Sequence, residues 1–176
     1  EERIGGAPAN FACHAALLGA EVTMVSAVGD DMGGRTALEI LGGYGIDVSL
    51  IGTVASAPTG TVGVELAPQG KPVFSIHEHA AWDCFSWSEE IDACLADADA
   101  VYFGTLGQRS EQTKNTIQKA IRRAKALDLP RVLDINLRAP FFDDALICES
   151  IKLASTLKLS DEELPLVCEA CGLTSG

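Results

Sequence analysis

Apolar runs of four to seven residues, rich in valine and isoleucine, alternate along the chain with stretches whose apolar positions recur at helical spacing. The runs predict strands over 22–28, 100–104, 131–135 and 155–159. The periodic stretches predict helices over 8–18, 32–42, 88–96, 110–127 and 143–154, with a last helix from about 161. Short, nearly continuous apolar strands separated by helices are the pattern of a parallel sheet covered by helices on both faces, an α/β sandwich of three layers. The rhythm breaks between about 50 and 80. There "LIGTVA", "TGTVGVELA" and "KPVFSIHEH" follow one another without a helix, and Pro68-Gln69-Gly70-Lys71 joins the last two. This stretch reads as an antiparallel hairpin region, an edge extension or lid set into the alternating fold.

Length and hydropathy fit one domain: 176 residues, 47% of them hydrophobic, with no repeat and no low-complexity tract. Almost nothing precedes the Gly5-Gly6 turn and the chain stops soon after its last strand. The expectation is therefore a single incomplete domain over 1–176, lacking its first strand and truncated at the C-terminus. Twenty-five acidic residues against thirteen basic ones give a net charge of -12, which repels nucleic-acid backbones and anionic membranes. Without a membrane-length apolar run or a signal-like start, the expected location is cytoplasmic. The six cysteines lie in helix-like contexts of a chain too large to need covalent staples, so they are expected to be reduced. Cys168-x-x-Cys171 has no second pair at zinc spacing and reads as helix packing.

Three stretches could carry chemistry. In "GGAPANFA", residues 5–12, Gly5 and Gly6 clear side chains from a loop that meets a helix N-terminus, which lets a ligand approach main-chain N–H groups. Pro8 suits the first turn, and Asn10 offers both donors and acceptors, as polyol hydroxyls require. The same residues also fit an ordinary glycine turn with a solvated asparagine. "VLDINLR", residues 132–138, puts Asp134, Asn136 and Arg138 at and beyond a strand end, where open α/β sheets bind ligands; Arg138 also fits a solvent-exposed cap. In "LKLSDEEL", residues 157–164, Ser160 and Glu163 have the spacing of a capping box. Asp30 and Asp31 of "VGDDMGG" read as a cap and turn rather than a metal pair. His77 and His79 fall two apart on a predicted strand, with no clear third ligand. Neither a Walker loop nor a dinucleotide fingerprint in its strand-to-helix context is present.

The spacing from Gly5-Gly6 through Pro8, Asn10, Ala12 and Gly19 to Gly29 resembles the N-terminal signature of the pfkB, or ribokinase-like, carbohydrate kinases. "VGDDMGG" is similar to that family's turn, and D-x-N-x-R at 134–138 resembles its fructokinase-like members. The resemblance implies a ribokinase-like fold with a small β lid, and ATP-dependent phosphorylation of a sugar hydroxyl, most plausibly of fructose. It implies sugar contacts at Gly5, Gly6, Asn10 and Thr105, and stabilisation of the migrating phosphoryl group by Arg138. It also implies nucleotide phosphates and Mg2+ near Lys158, Ser160 and Glu163, and subunit contacts through the lid, hence a homodimer. The family's N-x-x-E stands here as Ser160-x-x-Glu163. Its C-terminal G-A-G-D, with the aspartate base, does not occur in these 176 residues, so the chain by itself is expected to be inactive. The alternatives are a non-catalytic sugar-binding or dimerisation module, or a kinase for ribose, ketodeoxygluconate or a nucleoside.

Overall fold

The computed structural model describes residues 5–66 and 72–173. Helix α1 (Ala7–Leu17) leads through a loop to strand β1 (Ser26–Gly29), helix α2 (Met32–Gly43) and strand β2 (Ile51–Val54). Strands β3 (Val62–Leu66) and β4 (Pro72–Ile76) come next, then a 3-10 turn at Ala81–Asp83 and helix α3 (Glu89–Ala96). The second half runs β5 (Val101–Gly104), a 3-10 turn at Leu106–Gln108, α4 (Glu111–Ala126), β6 (Arg131–Asp134), α5 (Asp144–Leu153), β7 (Thr156–Lys158) and α6 (Leu164–Ala170).

Strand β1 pairs in parallel with β2, and β5, β6 and β7 form a second parallel sheet in that order. The run at 50–55, expected to open the antiparallel insert, thus belongs to the parallel part of the fold. The helical crossover α2 delivers Ile51 beside Ser26, and parallel pairing needs such a crossover. Antiparallel pairing is confined to β3 and β4, with Val62 opposite Ile76 and Val64 opposite Phe74. The expected turn at 68–71 lies outside the described residues.

Adjacent side chains on β5 show the layering. Tyr102 stacks on Phe11 of α1, centroids 3.9 Å apart, while Phe103 packs with Ile121 of α4 and Ile147 of α5. Successive strand residues point to opposite faces, so helices cover both sides of β5. A core of Phe103, Ile121, Leu133, Ile135, Ile147 and Val167 fills the space between the second sheet and α4 to α6. Ala9, Ala12, Val28, Leu41, Ile46 and Ile51 form another core, with α1 and α2 against the first sheet.

Local chemistry sets the element boundaries. Asp31, Ser88, Ser110 and Asp143 each accept a backbone N–H as N-caps of α2, α3, α4 and α5. Helix α4 places Glu111 in its first turn and Arg123 and Lys125 in its last, matching the helix dipole. The final helix starts at Leu164 rather than about 161, because Pro165 must sit in a first turn where its missing N–H and its ring do no harm.

Candidate functional site

Within each parallel sheet the strands end on a common edge, and the sequence motifs lie there. Strand β1 runs into Gly29-Asp30-Asp31, whose main role is structural. Asp31 caps Gly34 N–H at 2.8 Å and also accepts the Thr59 N–H at 2.8 Å and the Thr59 hydroxyl at 2.6 Å. Those bonds, the Thr59 hydroxyl first, hold its carboxyl at about 2. A Cβ on Gly29 would stand 2.5 Å from Thr59 N, and one on Gly34 would stand 2.3 Å from the Gly29 carbonyl oxygen. Bare glycines are therefore what let the 55–61 connection close onto the turn.

At the other strand ends a polar chain crosses from helix to sheet. Phe11 lies flat on Tyr102, whose hydroxyl donates to Asp134 at 2.9 Å. Lys158 donates to both oxygens of the same carboxylate, at 3.0 and 2.9 Å. Burial, and then the Asp134 carboxylate, push the Tyr102 phenol well above its ordinary value, so it remains a donor. Lys158 keeps its side chain 67% exposed while Asp134 is only 8% exposed. The lysine expected to add positive charge near phosphates is thus already paired, its charge matched by Asp134. The signal that could have found this pair was parallel register: Asp134 and Lys158 are direct partners across β6 and β7.

Beyond β6 the backbone turns sharply, with Asn136 at φ 39°. Arg138 donates to the Leu137 carbonyl at 2.8 Å, and its guanidinium sits 5.3 Å from the centre of the Phe74 ring. The ribbon formed by β3 and β4 therefore reaches over the D-x-N-x-R loop. Val62, Val64, Phe74 and Ile76 share one face of that ribbon, the face that meets Arg138.

Glu163 joins two strand ends. One carboxylate oxygen accepts the Leu137 N–H at 2.8 Å and the other accepts the Ser160 N–H at 2.8 Å. The second bond is the return half of a capping box; however, Ser160 does not cap the helix as expected, because Glu163 itself occupies the N-cap position of α6. Gly5, Gly6 and Asn10 are exposed at the start of α1, and Gly6, at φ 97°, adopts a backbone that disfavours side chains. Thr105 corrects its sequence-based assignment as a sugar contact. It is 1% exposed and its hydroxyl donates to the Ile135 carbonyl at 2.6 Å, so it ties β5 to β6.

Sequence reasoning missed Arg109. Its guanidinium donates to both oxygens of Asp83 and to the His77 carbonyl, and it lies between the rings of Trp82 and Phe141, 5.2 and 4.8 Å from their centres. This arginine fastens the end of the ribbon to the body of the fold. His77 and His79 do not share a strand face, since β4 ends at Ile76 and His79 takes a left-handed backbone; His77 bonds Thr61 instead. Among the described residues no group of three or more His, Cys, Asp or Glu side chains could hold a metal ion. The donor chemistry of Glu163 does fit a hydrated Mg2+, which keeps its waters and needs only a carboxylate beside phosphates; Glu163 is half-buried with both oxygens at the strand-end edge.

The chain is 28% identical to a fructokinase of Vibrio alginolyticus over 98% of its own length and 57% of the relative's. It is 30% identical to a 2-dehydro-3-deoxygluconokinase of Thermoproteus tenax over 82% of its length and 44% of that protein. An uncharacterized sugar kinase of Pyrococcus horikoshii, solved in complex with ATP, superposes with a TM-score of 0.86 at 28% identity, covering 98% of this chain and 58% of that one. The chain thus spans about half the length of the curated relatives it matches. The family model for pfkB family carbohydrate kinases matches residues 1–175, and with the ribokinase-like α/β fold and its strand-end motifs this chain belongs to that family.

Proposed function

We propose that this chain carries the acceptor side of an ATP-dependent sugar kinase that acts on a hydroxyl of fructose. The observation that carries the reading is Arg138, held beyond the end of β6 and covered by Phe74 of the ribbon. A permanently charged guanidinium beside the apolar ribbon suits a phosphoryl group in transfer, where positioning and charge stabilisation do most of the work. The sugar lies against Gly5, Gly6 and Asn10, its hydroxyls bonded by the Asn10 amide. Glu163, with Ser160 and Lys158 beside it, faces the nucleotide phosphates and their hydrated Mg2+. When bound, Mg2+ supplies charge neutralisation between the phosphates. The fructokinase relative supports fructose as acceptor; the ketodeoxygluconate kinase favours, as a second reading, an acidic sugar whose carboxylate pairs with Arg138. The apolar ribbon face, with Val64 58% and Phe74 47% exposed, supports a homodimer formed through the lid.

Because no G-A-G-D sequence occurs in the chain, binding without turnover is expected. Titration calorimetry with fructose should give saturable binding, weakened about tenfold in Asn10→Ala through loss of the amide hydrogen bonds. No ADP should form when ATP and Mg2+ are added. ADP formation by this chain overturns the inactivity, and binding of ketodeoxygluconate but not fructose overturns the choice of acceptor.

A further inference from the structure

Cys148 on α5 and Cys171 just past the end of α6 come from positions 23 apart in sequence, yet their sulfurs lie 3.3 Å apart. The Cys148 thiol lies 3.1 Å from the Ala170 carbonyl and donates to it, which leaves Cys171 to donate to the Cys148 sulfur. Both are free thiols, and both line a mostly apolar pocket of about 380 Å3 between α5, β7 and α6. Burial first, and then the hydrogen bond to Cys148, push the Cys171 thiol above its ordinary value, and Lys152 at the same pocket offsets only part of that rise. Moving the sulfurs from 3.3 Å to a bonded ~2.05 Å asks for about 1.3 Å of travel. Cys168, the other half of the C-x-x-C, is also a free thiol, and among the described residues no sulfur is bonded to it.

We propose that Cys148 and Cys171 form a reversible oxidation site, in which reaction with a small-molecule disulfide cross-links α6 to α5. The thiolate of one cysteine attacks a sulfur of the small disulfide and expels one small thiolate, leaving a mixed disulfide. The second cysteine, deprotonated, attacks the protein sulfur of that mixed disulfide and expels the other small thiolate. Two electrons pass from the protein to the small disulfide, and the two protons lost by the cysteines end on the two small thiols. The cross-link fixes the far end of the helix whose N-cap is Glu163, so oxidation state reaches the carboxylate that bridges Leu137 and Ser160.

The test is incubation of the full chain with oxidised glutathione, alkylation of remaining thiols, digestion without reductant and mass spectrometry. The expected product is one peptide pair joined through Cys148 and Cys171, two hydrogens lighter than the reduced pair, removed by dithiothreitol and unaltered in Cys168→Ser. Oxidation should raise the thermal midpoint by about 5 °C in the parent chain and in Cys168→Ser, with no rise in Cys148→Ser. A link between Cys168 and Cys171, links between chains, or glutathione adducts without an internal link overturn the proposal. So does a cross-link that leaves the midpoint unchanged, since α6 is then not held by it.

Discussion

At the scale of single residues, the glycines divide into those the packing requires and those it does not. A Cβ on Gly34 would lie 2.3 Å from a backbone oxygen, which no side-chain rearrangement relieves. Gly34→Ala should therefore cost about 3 kcal/mol in urea unfolding, the upper end of overpacking effects. Gly42, an exposed position of α2 with nothing within 4 Å of its Cβ site, is the opposite case. Gly42→Ala should add roughly 0.5–1 kcal/mol from helix propensity. Asp31 makes stability depend on pH. Its carboxyl stays ionised in the fold down to about 2, whereas in the unfolded chain it takes up a proton near ~4. Protonation thus favours unfolding, and the contribution is full above that upper value and lost as pH falls from about 4 to about 2. The thermal midpoint of Asp31→Asn should lie below that of the parent chain at about pH 6, and the gap should close near pH 2.

At the scale of elements, the joints between segments hold more than the segments do. Arg109 and Asp83 are 5% and 11% exposed in their side chains, and together they bind the end of the ribbon to the turn before α3 and to the start of α4. Removing the arginine strands a nearly buried carboxylate, so Arg109→Ala should lose about 3 kcal/mol. Arg109→Lys should recover less than half of it, because an ammonium cannot fork onto both oxygens and lacks the planar face that guanidinium offers to the Trp82 and Phe141 rings. Comparison of the two variants by denaturant unfolding checks this. Helix and strand positions were legible from periodicity to within a few residues, since each segment's own pattern fixes which face it buries. The joints were not: Asp31 with Thr59, Arg109 with Asp83 and Asp134 with Lys158 are 28, 26 and 24 positions apart, and no local pattern links such pairs.

For the molecule as a whole, the ribbon is the feature on which the proposed dimer rests. One of its faces carries Val62, Val64, Phe74 and Ile76, and Phe74 rests on Arg138. If that face joins two copies, Val64→Lys should convert a dimer into a monomer in size-exclusion chromatography with light scattering, with the monomer's thermal midpoint kept within a few degrees. An unchanged mass overturns the lid dimer. No helix among the described residues is long and apolar enough to cross a membrane.

The sequence by itself determined the α/β class, the order of elements and the family. Apolar periodicity is a local property, and motifs such as GGAPAN and DINLR keep their spacing wherever the chain goes. Tertiary structure alone decided what the motif residues touch. It placed β2 in the parallel sheet, turned Thr105 inward, set Lys158 on Asp134 and made Glu163 a bridge between two strand ends. Each of these follows from register and crossover geometry, which bring distant residues together by the packing of whole layers. The same packing set Cys171 against Cys148 rather than against its sequence neighbour Cys168.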